Sequence, residues 1–305
     1  MRLMKRRSKK ASVASAVARP ASRRAPADWG VPGELVAFTA KGRRGKFRRL
    51  DGFYRCAKPG SPLLIFVHGM GSNFYRSPLK KAFLEQATAF GFSVLSFDNV
   101  GAGSGTEVEH FGDCVADLEA ARAFARRRGH RRLVWVGHST GCQKIAYWQA
   151  KCRPAGVAAL VLLAPADDHA ILQKNLGRRL AAKVAWAKRC VASGRPDEPV
   201  PGLYERLGAR RFLSVADTAR TEANLFRYDG ALTYFRRIRC PLLAVFGANE
   251  EFSKIPPAEM LSILDQRTRS DDFSAWLVPE TGHSFRGEEG NVAERVYRWA
   301  LERLS

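Results

Sequence analysis

The chain has 305 residues, of which 46% are hydrophobic, and its formal net charge is +22 at pH 7. This length and apolar content fit one large folded domain better than two independent units. The apolar runs are far shorter than the roughly 20 residues that a transmembrane helix needs, so we expect no membrane-spanning segment.

Residues 1–29 differ in composition from the rest of the chain. Residues 1–27 contain nine lysines and arginines and no acidic residue, and such a segment cannot support a packed core. We predict a disordered basic tail or a targeting segment. A plain tail implies a cytoplasmic protein, whereas a transit peptide implies an organellar one, and a weak export signal is a third alternative. The six cysteines show no C-x-x-C spacing, which is typical of reduced thiols and favours the cytoplasm.

The remainder of the chain is also basic, with arginines dispersed over helical stretches such as residues 125–128. No zinc-finger or aromatic RNA-binding pattern accompanies the charge, so we predict no specific nucleic-acid partner. We interpret the charge as a solvated surface, while attraction of an anionic substrate stays open. The oligomeric state is not predicted by these features.

From about Glu34 onward, short apolar runs alternate with helical stretches, which is typical of an α/β fold with a mostly parallel sheet covered on both faces. The first two runs, at residues 34–41 and 46–56, are predicted to be antiparallel edge strands. The other predicted strands are residues 63–67, 92–97, 133–136, 157–163, 241–246 and 276–279, and the predicted helices are residues 79–90, 114–127, 142–151, 257–265 and 292–304.

This alternation stops between Asp167 and Arg236, where the chain becomes helical and basic. Long connections within a compact domain usually carry function. We predict a core built from residues 30–166 and 236–305, with residues 167–235 as a helical cap that controls access to the site.

The most informative motif is Gly137-His138-Ser139-Thr140-Gly141, which lies between a buried strand and a helix. A G-x-S-x-G turn in this context holds a serine exposed above the sheet, so Ser139 is predicted to be a nucleophile. Its glycines allow strand and helix to approach closely. The backbone N–H of Thr140, at the helix N-terminus, is a candidate oxyanion donor.

Three other predicted strands end in groups that complete a site. The turn His68-Gly69-Met70-Gly71 offers the Met70 N–H as a second oxyanion donor. Glu250 follows the strand at 241–246 and is the predicted triad acid, with Glu251 as the alternative. His283 follows the strand at 276–279 and is predicted to accept the proton of Ser139 and return it to the leaving group.

These residues, in the order Ser139, Glu250, His283, resemble the α/β-hydrolase superfamily over nearly the whole chain after Trp29. The resemblance implies the α/β-hydrolase fold with a helical cap insertion. Residues 138–143, 163–168 and 211–214 further resemble the branch that includes fungal siderophore (fusarinine-type) esterases, which implies ester hydrolysis. The sequence differs from that branch in having Lys144 after the glutamine and a glutamate at the acid position.

We therefore expect a serine hydrolase that cleaves a small-molecule carboxylic ester, or a thioester or amide, through an acyl-enzyme on Ser139. Two alternatives are a non-catalytic binding protein of the same fold, and a lyase or perhydrolase that uses the same triad. No histidine has a metal-ligand spacing and no nucleotide motif is complete, so neither a metal nor a cofactor is predicted.

Overall fold

The computed structural model describes residues 30–42, 45–203, 206–220, 222 and 225–304. The predicted tail, residues 1–29, lies outside this part of the chain. Residues from Pro32 onward belong to one compact unit. Among the described residues, no helix is both long and apolar enough to cross a membrane.

The centre of this unit is an eight-stranded sheet with the strand order β1-β2-β4-β3-β5-β6-β7-β8. The predicted antiparallel edge is confirmed, since β2 pairs antiparallel with both β1 and β4, and all other pairs are parallel. The strands are β1 Glu34–Lys41, β2 Phe47–Arg55, β3 Leu63–Val67, β4 Ser93–Phe97, β5 Leu133–His138, β6 Val157–Leu163, β7 Leu242–Gly247 and β8 Phe273–Val278.

Helices flank this sheet, and the inner strands are consequently buried on both faces. Every residue of β3, β4 and β7 is buried, which explains why these strands are continuous apolar runs in the sequence. The helices are α1 Pro78–Gln86, α2 Cys114–Arg127, α3 Thr140–Cys152, α4 Asp168–Leu176, α5 Arg179–Ala192, α6 Ala209–Ala216, α7 Pro257–Arg267 and α8 Glu289–Glu302.

One helix and one strand have boundaries that differ from the predicted ones in an informative way. The predicted helix at 79–90 is an α-helix only to Gln86, and a 3₁₀ turn continues it to Phe90 before Gly91 ends it with φ +73°. Strand β8 begins at Phe273, three residues earlier than predicted. As the last strand of the sheet it is only partly buried, so its first half lacks the apolar run that marks an inner strand.

Helices α4, α5 and α6 lie within residues 167–235. They contribute to a second apolar cluster, which we call the α4–α6 cluster, and its members are Leu176, Ala187, Cys190, Val200, Leu207, Ala209, Phe212, Leu213 and Ala216. Met70, on the loop after β3, packs against this cluster. The helical segment is therefore in contact with the loop that carries a predicted oxyanion donor.

Candidate active site

Ser139 occupies a strained turn between β5 and α3. Its backbone dihedrals are φ +55° and ψ −128°, a conformation that costs a residue with a side chain on the order of 1–3 kcal/mol. A Cβ added to Gly141 would lie 2.2 Å from the carbonyl oxygen of Val67 on β3. The glycine is thus required because α3 approaches the backbone of the neighbouring strand, and the turn presents a half-buried Ser139 side chain.

Glu250 and His283 meet where the adjacent strands β7 and β8 end. His283 Nδ1 lies 2.8 Å from Glu250 Oε1, and both residues are buried. The same carboxylate oxygen accepts a hydrogen bond of 3.0 Å from the backbone N–H of Phe252. A carboxylate can only accept, so Nδ1 carries the proton and the Nε2 lone pair of neutral His283 is available as a base.

Glu251 contacts the backbone of His283 instead of its ring. Glu251 Oε2 accepts a hydrogen bond of 2.9 Å from the His283 N–H. The two adjacent acids that the sequence offers as alternatives therefore have different partners. Glu250 binds the imidazole and Glu251 fixes the peptide that carries it.

His138 and Phe252 also hold His283 in place. His138 Nε2 donates to the carbonyl oxygen of His283 at 2.9 Å, and the two ring centroids are 5.1 Å apart. Burial, together with the neighbouring His283, lowers the pKa of His138 to about 3, so this donor stays neutral near pH 7. The Phe252 ring packs edge-to-face on His283 with a centroid distance of 4.8 Å. The sequence pattern did not reveal either contact.

The turn after β3 lies directly against Ser139. A Cβ on Gly69 would lie 2.8 Å from Ser139 Cβ and 3.4 Å from its Oγ. Within the described residues, the backbone N–H groups of Met70 and Thr140 donate no hydrogen bond. Unused donors beside a serine hydroxyl are what an oxyanion hole requires.

His68 fixes the direction of this turn. Its Nε2 accepts a hydrogen bond of 3.2 Å from the Asn99 N–H, so its Nδ1 carries the proton and donates to the Gly69 carbonyl oxygen at 2.7 Å. Burial, with the positive charges of Lys144 and Lys80, lowers the pKa of His68 well below its usual value. His68 is therefore a neutral, oriented hydrogen-bonding group.

Among the described residues, hydrogen bonds join only two members of the predicted triad. Ser139 Oγ makes no hydrogen bond to His283 or to any other residue in the described part of the chain. Glu250 and His283, in contrast, are joined by the hydrogen bond at His283 Nδ1. His138, the residue before Ser139, joins the two segments through its bond to the His283 carbonyl. Serine–base hydrogen bonds often tighten only when substrate binds.

Groups of metal-ligating side chains and cavities are two other features that can mark a functional site. The described residues contain no group of three or more His, Cys, Asp or Glu that could hold a metal ion. A cavity of about 180 Å³ is lined by residues of α4 and α7 and by loop residues that include Tyr228 and Lys254, but not by Ser139, Glu250 or His283. The residues that line this cavity are therefore distinct from the predicted site residues.

Comparison with known proteins agrees with this architecture. Residues 64–295 match the family model described as "Alpha/beta hydrolase family", so the chain belongs to the alpha/beta hydrolase family. A search of the curated proteins found no significant match.

Several solved structures share the fold. Est1E from Butyrivibrio proteoclasticus is 18% identical with a TM-score of 0.60, covering 88% of this chain and 98% of that chain. The Pyrococcus furiosus esterase Pf2001 is 15% identical with a TM-score of 0.62, covering 94% and 96%. A thermostable carboxyl esterase from Bacillus coagulans is 10% identical with a TM-score of 0.66, covering 89% and 99%. The resemblance to the siderophore esterase branch remains a prediction.

Proposed function

We propose that this protein is a serine hydrolase that cleaves a small-molecule carboxylic ester, or a related thioester or amide, through an acyl-enzyme on Ser139. The observation that carries the proposal is the 2.8 Å Glu250–His283 pair, joined through His138 to a serine on a strained turn. The fold shared with esterases supports an ester as the substrate.

Acylation would begin when Ser139 Oγ attacks the substrate carbonyl carbon and His283 Nε2 takes the hydroxyl proton. Glu250 stabilises the imidazolium that forms. The carbonyl oxygen becomes an oxyanion and accepts hydrogen bonds from the N–H groups of Met70 and Thr140. When the tetrahedral intermediate collapses, His283 gives the proton to the leaving alcohol, and the acyl group stays on Ser139.

Deacylation would repeat these steps with water as the nucleophile. His283 takes a proton from water, the hydroxide attacks the acyl carbon, and the proton returns to Ser139 Oγ as the acid leaves. Residues 167–235 would act as a cap over this site, a proposal supported by the contact between Met70 and the α4–α6 cluster.

Labelling with a fluorophosphonate probe tests the proposal, because the probe reacts only with an activated serine. Parent protein should be labelled and Ser139→Ala should not, while Ser193→Ala, at the end of α5, should label like the parent. A panel of p-nitrophenyl esters of increasing acyl length then measures turnover. A folded parent protein that resists the probe and leaves every ester intact would refute the hydrolase and favour a binding protein of the same fold.

A further inference from the structure

A chain of buried polar side chains runs from helix α6 to the turn His68-Gly69-Met70-Gly71, which we call the oxyanion turn. Each member is at least 97% buried, and of these residues only His68 was expected from the sequence to support that turn. In order, the members are Arg211 on α6, Glu109, Lys144 on α3, Asn99 and His68. We call this set the buried relay.

The first half of the relay is ionic. Arg211 Nε lies 3.0 Å from Glu109 Oε2, and Lys144 Nζ lies 3.0 Å from Glu109 Oε1. Burial alone would raise the pKa of Glu109, but Lys144 and Arg211 reverse this and lower it. The glutamate therefore stays charged and joins α6 to the helix that follows Ser139.

The second half connects Lys144 to the oxyanion turn. Lys144 Nζ donates to Asn99 Oδ1 and to the Val100 carbonyl oxygen, both at 2.6 Å. The Asn99 N–H then donates to His68 Nε2, and His68 Nδ1 donates to the Gly69 carbonyl oxygen. In a trans peptide the C=O and the following N–H point in opposite directions. Fixing the Gly69 C=O therefore also fixes the direction of the Met70 N–H.

Burying these charges carries a large desolvation cost, and an apolar set of similar volume is often as stable or more stable. The relay is thus a poor device for stability alone. Its last bond acts on the peptide that supplies a proposed oxyanion donor, and the Met70 side chain packs on the α4–α6 cluster, to which α6 belongs. One end of the relay therefore acts on the peptide of residue 70, and the other end lies on a helix that contributes to the cluster against which Met70 packs.

We propose that Glu109, Lys144, Arg211 and Asn99 are positioning residues that act through His68 to aim the Met70 N–H at the oxyanion. This inference rests on the proposed function for its catalytic consequence. The orientation of the Met70 amide, however, can be measured without any turnover.

The amide readout uses the small number of methionines. The chain has four of them, so a protein labelled with ¹⁵N-methionine gives few amide signals, and Met70→Leu identifies the Met70 signal by its loss. Met260, buried in α7, serves as the internal reference. Asn99→Leu removes the acceptor for Lys144 and should shift the Met70 signal while leaving Met260 in place.

Asn99→Asp is the conservative rescue variant. It keeps an oxygen acceptor for Lys144 and replaces Asn99 Nδ2, which has no partner among the described residues. Its Met70 signal should stay close to that of the parent. The matched control is Tyr54→Phe, which removes another buried hydrogen bond, the 2.8 Å bond to His130 Nε2, without touching the relay.

Ester kinetics give the second readout. Asn99→Leu should lower kcat by about 10-fold to 100-fold with KM unchanged. Removal of one oxyanion donor lowers kcat by about 10²–10³, and a donor that is still present but wrongly oriented should lower it less. Asn99→Asp should recover most of kcat, and Tyr54→Phe should match the parent. If Asn99→Leu does not fold, Asn99→Ala tests the same bond.

The possible outcomes are distinct. A shifted Met70 signal and lowered kcat in Asn99→Leu, both restored in Asn99→Asp, support the relay. A Met70 signal that is unchanged in Asn99→Leu, or a kcat that falls equally in all three variants, overturns it. A parent protein that neither turns over esters nor labels at Ser139 refutes the proposed function, while the Met70 signal alone then decides whether the relay aims that amide.

Discussion

Glu251 holds the backbone N–H of His283 at 2.9 Å, whereas the preceding glutamate holds the imidazole of the same residue at 2.8 Å. Two consecutive acids thus fix one histidine from two directions. Only the contact with the ring can stabilise an imidazolium during proton transfer. The neighbouring carboxylates therefore have separable effects on turnover.

Exchanging each acid for its amide separates these effects. Glu250→Gln should lower kcat by about 10³–10⁴, as expected when the partner of a triad histidine loses its charge. Glu251→Gln should stay within about tenfold of the parent, because an amide oxygen can still accept from a backbone N–H. Turnover of a p-nitrophenyl ester and far-ultraviolet circular dichroism on the same samples check both. A larger loss in Glu251→Gln would reverse the assignment of the acid.

Stability should fall with pH below neutrality because burial lowers the pKa of three histidines, His68, His130 and His138. The pKa of His138 is lowered to about 3, that of His68 lies well below its usual value, and that of His130 is also lowered. Between about pH 6.5 and the folded pKa, the unfolded chain binds the proton and the fold does not, so each histidine costs up to about 1.4 kcal/mol per pH unit. Urea unfolding at pH 7, 6 and 5 measures the slope.

The control for this slope is His138→Phe, which should have a shallower dependence than the parent over the same range. The free energy of unfolding of His138→Phe at pH 7 should also be lower than that of the parent, because the His283 carbonyl oxygen loses its hydrogen-bond donor. A slope identical to that of the parent would show that His138 takes up its proton in the folded state.

The free energy of unfolding should fall when Glu109, the one acid of the buried relay, loses its charge. Glu109→Gln leaves Lys144 and Arg211 buried without a carboxylate, and breaking a buried ion pair costs about 3–5 kcal/mol. Urea unfolding at pH 7 should show this loss. The triple variant Glu109→Leu, Lys144→Met, Arg211→Met should recover most of the stability, and a triple variant as unstable as Glu109→Gln would contradict this explanation.

A methyl group on Gly69 should damage the site more than the fold. The added Cβ would meet Ser139 Cβ at 2.8 Å and the His138 carbonyl oxygen at 3.0 Å, so the turn that carries the proposed oxyanion donor Met70 must shift away from Ser139. We expect Gly69→Ala to lower kcat by about 10²-fold or more, the scale of a lost oxyanion donor. Gly105→Ala, where an added Cβ has no neighbour within 4 Å, is the control.

Strong local signals made the sheet and the strained turn at Ser139 predictable. The continuous apolar runs of β3 and β6 have the bounds that the sequence predicts, because strands covered on both faces contain little else. The turn around Ser139 was recognisable because its glycines are imposed by close backbone approach.

The contacts that support the site lacked such signals. Glu109, Lys144 and Arg211 are far apart in sequence, and charged residues are ordinarily exposed, so nothing in the pattern predicts their mutual burial. His138 shows a similar limit, since its bond to the His283 carbonyl depends on how two loops meet in space. Sequence periodicity places strands and turns, whereas these contacts depend on tertiary packing.

The packing of Met70 on the α4–α6 cluster links the helical segment to the candidate site. The turn that presents Ser139 lies between β5 and α3 and is packed against the backbone of β3, whereas residue 70 is also held by a separate cluster. A substitution that loosens α4, α5 or α6 would therefore reach the proposed oxyanion donor while leaving the sheet and the Ser139 turn in place.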